Sequence, residues 1–342
     1  MSNGVKIELN SYDPNWKTQF ETEKQRLHSI IGKNSSIEHI GSTAIEGLCA
    51  KPVIDILIGI DHFSDPKTLI TKISGLGYDY ISEYEQQLPE RRYFQKVRNG
   101  HHFIHIHLVE RNSRFWQRHL FFRNQLSLYP ELRNQYARLK QNLAQIKWKS
   151  RNDYASAKGE FIQKVEAKLD AFQWETERLI VKLPDTRYLD LYYRLLKDPD
   201  VMKYIGDGTN NPVTKNVAMT GIENLLKHFY QFGYTLGFVF LKNSNELIGR
   251  AGLVHIKGNS DEPIEVAYML DKPYWNQGYG TELACYFIDW GFTHLKTDLL
   301  VGISHPDHKA SQNVLKKCGM TLVGDYKYGD IKSMLYQIIK NK

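Results

Sequence analysis

Two glycines one residue apart mark the part of this chain best suited to chemistry. They lie between a predicted strand, 264–270, and an apolar helix, in a loop made of Gln277, Gly278, Tyr279, Gly280 and Thr281. The first N–H groups of a helix have no partner within the helix, and the helix dipole adds partial positive charge there. Glycine lets the backbone approach an anion closely. The loop therefore predicts a phosphate site built from main-chain donors.

The loop is neither of two common phosphate motifs, since it reads neither GxxxxGK[ST] nor GxGxxG. WNQGYGTE at 275–282 instead resembles the pyrophosphate loop of the GNAT acetyltransferases. TERLIVKL at 176–183, DPDVMKYIG at 198–206 and ELIGRAGLVHI at 246–256 resemble the same family, so the resemblance covers nearly all of 176–338. It implies acetyl transfer from acetyl-CoA to a primary amine. A protein α-amine, a lysine, an aminoglycoside and a polyamine all remain open as acceptors.

The resemblance also implies where acetyl-CoA binds. In GNAT proteins the sheet splays beside the strand that holds EVAYML, and the pantetheine arm lies in the gap, here near the backbone of Met269 and Leu270. The amides of residues 277–281 would hold the pyrophosphate. His308 and Ser311 stand where the family has an Asn and a Ser that contact the cofactor, with DHKAS in place of DNKAS. The alternative for Ser311 is a helix-interior serine bonded to its own backbone.

The implied reaction needs a group that removes a proton from the attacking amine. Period-two alternation places Glu265, Ala267 and Met269 on one face of the predicted strand. Glu265 is therefore the candidate general base, and the alternative is an exposed glutamate on an edge strand. Relatives with a tyrosine acid carry it where this chain has Leu315, so the acid stays unassigned. Cys318 is expected to be a packing residue.

A second group of motifs fills the first half of the chain. IEHIGSTAIEGLCAKPVIDILI at 37–58 is followed by RRYF at 91–94, HIHLV at 105–109, PELRNQYARLK at 130–140 and YASAKGEFI at 154–162. Together they resemble the GrpB-like family, whose fold is that of the nucleotidyltransferases. The resemblance implies phosphate binding at a Gly-Ser pair and metal binding by several carboxylates.

The carboxylates of this half are incomplete. Asp55 matches one of them, but Leu57 stands in place of the second, and His105 and His107 lie where a third acid would be. One aspartate cannot hold two Mg²⁺ ions, so we expect no metal pair and no standard nucleotidyl transfer. A pocket for phosphate or a nucleotide is expected instead, and its candidate residues are Gly41, Ser42, Thr43, Lys51, Asp55, Arg91, Arg92, His105 and His107. A pure scaffold, a catalytic domain and a single transition metal on Asp55 and the two histidines remain alternatives.

Charge adds a further hypothesis about partners. The net charge is +7, and residues 91–151 hold 14 Lys or Arg against Glu110 and Glu131. Such a block favours phosphate-bearing partners, so a protein that binds nucleic acid or the ribosome is one alternative, and a solvated basic surface is another. A nucleotidyl or phosphoryl transferase with the acetyl-CoA domain as a sensor is a third.

The bulk composition indicates a protein of the cytoplasm. There is no signal-peptide core and no apolar run of the ~20 residues that would cross a bilayer. The three cysteines, Cys49, Cys285 and Cys318, are scattered, which predicts no disulfide and no structural zinc.

The 342 residues suffice for two α+β domains, and we place them at 1–173 and 174–342. The first is a nucleotidyltransferase-like α/β domain, and the second is a GNAT domain with a splayed mixed sheet. In the first we expect strands at 53–58 and 103–109 and helices at 19–31, 113–146 (broken near Pro130) and 152–172. In the second we expect strands at 178–183, 235–241, 247–256, 264–270, 298–303, 321–326 and 332–338, and helices at 186–196, 214–232, 278–293 and 308–317.

Overall fold

The chain divides into two compact units, Met1–Asp170 and Ala171–Lys342. The computed structural model describes the following residues: 4–32, 35–61, 66–98, 100–111, 113–205, 213–256, 262–328 and 331–340. Each unit contains helices and a sheet of its own, in agreement with the predicted α+β class.

A five-stranded sheet of order β1-β2-β5-β4-β3 forms the centre of the first unit. Its only parallel pair among the described strands is β2 with β5, which sets Asp55 directly beside His105 and Leu57 beside His107. The strands are β1 (Ser36–Ile40), β2 (Ile54–Ile60), β3 (Asp79–Tyr80), β4 (Arg91–Arg98) and β5 (His101–Glu110). The helices are α1 (Asn15–Ile31), α2 (Lys67–Ser74), α3 (Arg114–Leu128), α4 (Pro130–Ala144), α5 (Arg151–Ser156) and α6 (Gly159–Glu166).

Alternation along β2 and β5 separates the core of this unit from its polar side. Ile54, Ile56 and Ile58 join a buried cluster with their partners on β5 and with residues of α1 and α2. The residues between them, including Asp55 and His105, therefore face the opposite side of the sheet. The candidate polar residues thus lie on a rigid central strand pair.

The prediction of one helix over 152–172 was wrong. The structure has two shorter helices, because α5 ends at Ser156 and α6 begins at Gly159. Glycine is less favourable than alanine inside a helix by about 1 kcal/mol. The break lets α6 pack against α3. The predicted break between α3 and α4 at Pro130 is confirmed.

The second unit holds an eight-stranded mixed sheet of order β12-β13-β11-β10-β9-β8-β7-β6. Its strands are β6 (Gln173–Glu175), β7 (Leu179–Lys182), β8 (Leu236–Leu241), β9 (Leu247–His255), β10 (Ile264–Leu270), β11 (Leu299–Ser304), β12 (Thr321–Tyr328) and β13 (Ile331–Ile339). Its helices are α7 (Leu189–Lys197), α8 (Pro199–Met202), α9 (Lys215–Phe232), α10 (Tyr279–His294) and α11 (Lys309–Lys317).

The predicted splay of this sheet is present between β10 and β11. These parallel strands pair only at Ile264 with Leu300 and at Glu265 with Val301, although both strands continue beyond that point. On its other side β10 stays paired with β9 as far as Leu270. The two strands therefore form a fork that opens after Glu265.

The cysteine prediction was wrong in one respect. Cys285 on α10 and Cys318 at the end of α11 form a disulfide, with their Cα atoms 5.2 Å apart. The pair is 33 residues apart in the sequence and is brought together because α10 packs beside α11. Cys49 is the free cysteine of the described residues. None of the described helices is both long and apolar enough to cross a bilayer.

Ile56 tests the core of the first unit. Its side chain is fully buried in the cluster between the sheet and α1. We expect Ile56→Ala to lower the free energy of unfolding by about 2–5 kcal/mol, because it leaves a cavity. Hydrogen exchange of peptides covering 54–60 and 101–110 measures this without interference from the second unit. Val97→Ala on β4 is the control, since Val97 is 43% exposed; equal effects of the two changes would contradict the assignment.

Candidate functional site

The fork between β10 and β11 exposes backbone that a sheet normally hides. The carbonyl of Met269 is directed at β9, since a Cβ placed on Gly249 would lie 2.1 Å from it. Backbone groups alternate in direction along an antiparallel strand, so those of Tyr268 and Leu270 face the fork. The Leu270 carbonyl accepts a hydrogen bond from the Trp275 indole at 2.8 Å. Of the residues predicted to bind pantetheine, Leu270 therefore presents its backbone to the fork, whereas Met269 turns toward β9.

Glu265 lies where the fork closes. Its carboxylate accepts a hydrogen bond from the backbone N–H of Ile303, two residues beyond the last paired residue of β11. Burial raises the pKa of Glu265 to about 7, against the opposing effect of the Arg250 charge. The side chain is still partly exposed. The carboxylate is thus a base whose proton affinity is matched to neutral pH.

The glycine loop forms the N-terminus of α10. Gly278 is its N-cap and has a left-handed backbone with φ of 84°, and the preceding Asn276 is left-handed too, with φ of 60°. The cap offers no side-chain acceptor to the first turn of the helix. The N–H groups of Tyr279, Gly280 and Thr281 therefore point out of the helix end, as an anion site requires.

Arg178 and Glu282 brace this loop, and the sequence analysis missed both. Arg178 donates to the Gln277 carbonyl at 3.0 Å and to the Glu282 carboxylate at 2.7 Å. Glu282 also accepts from the backbone N–H of Arg178 at 2.8 Å, and the guanidinium lies 4.3 Å from the centre of the Tyr279 ring. The brace uses carbonyl and carboxylate acceptors and leaves the loop amides to other partners. It joins residues about 100 positions apart, so no local pattern could have indicated it.

Helix α11 closes the other side of the loop. The Tyr268 hydroxyl contacts both the carbonyl and the hydroxyl of Ser311 at 3.2 Å. A Cβ on Gly280 would lie 3.6 Å from the Tyr268 ring and 3.7 Å from Val314. Ser311 therefore lies beside the loop, as the predicted cofactor contact requires.

His308 is the N-cap of α11 and is half-buried. It stacks on Tyr204 at a ring distance of 4.6 Å, and burial lowers its pKa. Tyr204 also stacks on His305 at 5.1 Å. Leu315 occupies the position at which some GNAT proteins have a tyrosine acid. It is buried in the core and can supply no proton.

In the first unit the structure places two other candidate residues, Gly41 and His105, against Asp55. Its carboxylate accepts from His105 Nδ1 at 3.1 Å, and His105 Nε2 lies 3.3 Å from His102 Nδ1. Gly41 is left-handed, and a Cβ there would lie 2.2 Å from the other carboxylate oxygen, so only glycine fits. Burial opposes ionisation of Asp55, but the hydrogen bond and charge of His105, with the other nearby histidines, hold its pKa below the usual range.

Ser42, the residue after Gly41, contacts one of a group of lysines that the sequence analysis found only in part. The buried Lys140 on α4 donates to the Ser42 hydroxyl at 3.0 Å and to the Cys49 carbonyl. The ammonium groups of Lys51 and Lys158 lie 4.9 and 4.7 Å from the centre of the Tyr154 ring. Burial lowers the pKa of Lys140 and of Lys158 to about 8, and Lys51 adds to the effect on Lys158. Lys140 and Lys158 belong to the motifs at 130–140 and 154–162, whose sequence alone assigned them no role.

The other candidates of this unit have contacts of their own, although His107 lies on the same face of the sheet as Asp55 and interacts with its charge. Thr43 donates to the Val53 carbonyl at 3.1 Å and contacts His39. Arg92 donates to the Pro89 carbonyl and pairs with Glu85. His107 is enclosed by the rings of Tyr93, Phe115 and His119, and Arg91 packs on the same aromatic group.

The basic block at 91–151 is partly neutralised by carboxylates from outside it. Five of its arginines and one lysine form ion pairs with acidic residues: Arg92 with Glu85, Lys96 with Glu23, Arg111 with Asp61, Arg114 with Asp170, Arg118 with Glu166 and Arg123 with Glu38. Several of its charges are therefore balanced within the protein, which weakens the argument for a nucleic-acid surface.

Comparison with known proteins matches the two halves of the chain to two different families. A family model described as GrpB protein matches residues 6–168, and one described as an acetyltransferase (GNAT) domain matches residues 178–321. A UPF0157 protein of Halalkalibacterium halodurans is 34% identical over 48% of this chain and 83% of its own length. YnaD of Bacillus subtilis, named an uncharacterized N-acetyltransferase, is 26% identical over 44% of this chain and 84% of its own. A crystal structure of GrpB from Enterococcus faecalis is 36% identical over 47% of this chain and 96% of its own, with a TM-score of 0.43.

Gly280 tests the loop as an anion site. We expect Gly280→Val to abolish binding of coenzyme A, because the branched side chain fills the space that a phosphate needs. Calorimetry with coenzyme A measures this. Gly280→Ala is the matched control for folding, since its single methyl group would make only ordinary contacts with Tyr268 and Val314. Undiminished affinity in the valine variant would show that the phosphates bind elsewhere.

Proposed function

Since the chain belongs to the GrpB family through its first half and carries a GNAT acetyltransferase domain in its second, we propose that it moves acetyl from acetyl-CoA to a primary amine. The observation that carries the proposal is the fork between β10 and β11, with a base at its closed end and an anion-binding helix end beside it.

The fork and the loop suit the two ends of acetyl-CoA. The amides of residues 277–281 would hold the pyrophosphate, and the backbone of Tyr268 and Leu270 would hold the pantetheine arm. The molecule supplies a thioester when it is bound. Ser311 and His308 lie on the α11 side of the loop and would contact it there.

Glu265 would accept the proton of the attacking amine. Its carboxylate is held by the Ile303 N–H, so the group is already oriented at the point where the strands part. Since the amine nitrogen must lose a proton as it bonds to the acetyl carbon, a base with a pKa near 7 is suited to the task. The thiolate that leaves has a pKa of ~8.5 when free and needs no dedicated acid near neutral pH.

Substitution of Glu265 tests this role. We expect Glu265→Gln to reduce turnover by ~10²-fold or more and to leave the affinity for coenzyme A nearly unchanged. In the parent protein kcat/KM should rise with pH through about 7, as the carboxyl group loses its proton, and this rise should be absent from the variant. Equal turnover in the two proteins would remove Glu265 from the mechanism.

The same variant provides a control for folding. The pKa of Glu265 is raised in the folded protein from an ordinary value of 4.5, so ionisation between pH 4.5 and about 7 destabilises the folded state. Glu265→Gln should therefore raise the melting temperature at pH 8 and have little effect at pH 4. Lost turnover together with a raised melting temperature cannot be explained by unfolding.

For the first unit we propose binding of a phosphorylated ligand beside Ser42. The observation that favours it is the buried Lys140, which bonds to the Ser42 hydroxyl and lies close enough to Lys158 for their charges to interact; Lys158 in turn interacts with Asp55, which already bonds to His105. Buried cations are costly unless an anion compensates them. Leu57 is buried where a second metal-holding carboxylate would be needed, so nucleotidyl transfer has less support.

Lys158 tests this second proposal with inorganic triphosphate as the probe. Lys158→Met should weaken its binding at least 10-fold in calorimetry, whereas Lys72→Met, on the exposed side of α2, should not. Affinity in the parent should fall as pH rises through about 8, where Lys140 and Lys158 lose their charge. An affinity for triphosphate that is the same in Lys158→Met as in the parent and does not change with pH would overturn the proposal.

A further inference from the structure

Three neighbouring residue pairs on β9 and β10 outline a slot beside Glu265. In order along the two strands, Met269 pairs with Arg250, Ala267 with Gly252 and Glu265 with Val254. Residues directly opposite each other share a face of the sheet, and so do residues two apart on one strand. Arg250 and Glu265 therefore lie on one face, separated by a pair that has almost no side chain.

The middle pair, Gly252 and Ala267, carries almost no side chain, and Gly252 cannot be replaced by a larger residue. Gly252 has φ of 152°, and a Cβ there would lie 2.1 Å from the Thr235 carbonyl, so this position must remain glycine. Ala267 contributes only a methyl group. The backbone distance from the Arg250 row to the Glu265 row is about 13 Å, and the two long side chains shorten it. The strip between the two rows, which we call the slot, is thus as long as a small molecule or the end of a peptide.

Arg250 is held in place at one end of the slot. Its guanidinium donates to the hydroxyl of Tyr192 at 2.5 Å, and Tyr192 is buried in the core of α7 and the sheet. Across the part of the chain that the structure describes, no carboxylate lies within ion-pair distance of Arg250. A guanidinium has five N–H donors, and Tyr192 occupies one of them. The arginine is oriented by a neutral partner and keeps donors for an anion.

The two ends of the slot have opposite charge preferences. The Glu265 carboxylate attracts an amine, and the Arg250 guanidinium repels a second amine and attracts a carboxylate. Arg250 is close enough for its charge to act on Glu265. A polyamine or an aminoglycoside would place positive charge against Arg250, whereas an amine that carries a carboxylate satisfies both ends.

We infer that the acceptor is a primary amine with a carboxylate in the same molecule, and that Arg250 recognises this carboxylate while the amine lies at Glu265. This inference rests on the proposed acetyl transfer. A free amino acid and an acidic peptide N-terminus share this chemistry. Arg250 is then the residue that determines specificity, and it takes no part in the proton transfer.

Matched acceptors that differ only in the carboxylate test the inference. Thiol release is measured with γ-aminobutyrate against its carboxamide, and with a C-terminally amidated tripeptide that begins with glutamate against one that begins with glutamine. We expect kcat/KM to be at least 10-fold higher for the acidic member of one pair, and that pair identifies the source. Arg250→Gln should remove this preference by raising KM for the acidic acceptor. The readout is the ratio of kcat/KM between the two members, because loss of the Arg250 charge also acts on Glu265 and affects both acceptors alike.

The possible outcomes distinguish this inference from the proposed acetyl transfer on which it rests. Equal turnover of acidic and neutral acceptors, or an equal loss of both in Arg250→Gln, would overturn the carboxylate assignment and leave acetyl transfer standing. Release of no thiol with any amine, although coenzyme A binds, would overturn the proposed function and this inference with it. Arg250→Lys is the variant that retains the charge, and it should recover part of the preference if charge rather than packing is responsible.

Discussion

The early end of pairing between β10 and β11 is the constraint on which the second unit depends. Backbone groups inside a sheet must be bonded, and a fork leaves a set of them without their usual partners. Side chains supply two of the missing bonds. The Glu265 carboxylate accepts from the Ile303 N–H, and the Trp275 indole donates to the Leu270 carbonyl. The remaining groups can serve a ligand. Burial at the closed end of the fork raises the pKa of Glu265 to about 7, so the proposed base lies directly beside the place where the strands part.

The anion site proposed at the glycine loop would have to be held in shape without consuming its main-chain amides. Arg178 and Glu282 meet this need because their partners at the loop are the Gln277 carbonyl, the Thr176 hydroxyl and each other. Tyr268 and Ser311 hold the opposite side through a hydroxyl contact. The loop is therefore fixed from two sides, and the donors of the first helical turn stay directed outward.

In the first unit the candidate site is built from charged side chains rather than from main-chain amides. Asp55 is compensated by His105, whereas the partners of the buried Lys140 are the neutral Ser42 hydroxyl and the Cys49 carbonyl. An ammonium group in such surroundings is costly, which is why its pKa falls to about 8. The local excess of positive charge supports an anionic ligand, and the buried Leu57 explains why a pair of metal ions has little support there.

The sequence by itself determined β2 and β5, the strands of the second unit from β7 to β13, the glycine loop at the start of α10 and the position of Glu265 on its face, because alternation and helix-start signals are local. It missed β1, β3, β4 and β6. It failed at 152–172, where the chain is interrupted at Ala157 and Lys158 and continues as a second helix from Gly159 to Glu166. Only the tertiary structure decided that Arg178 meets Glu282, that Lys140 meets Ser42 and that Cys285 meets Cys318. Contacts between residues 33 to 104 positions apart depend on how helices and strands pack, and no periodic pattern in the sequence indicates which distant residues meet.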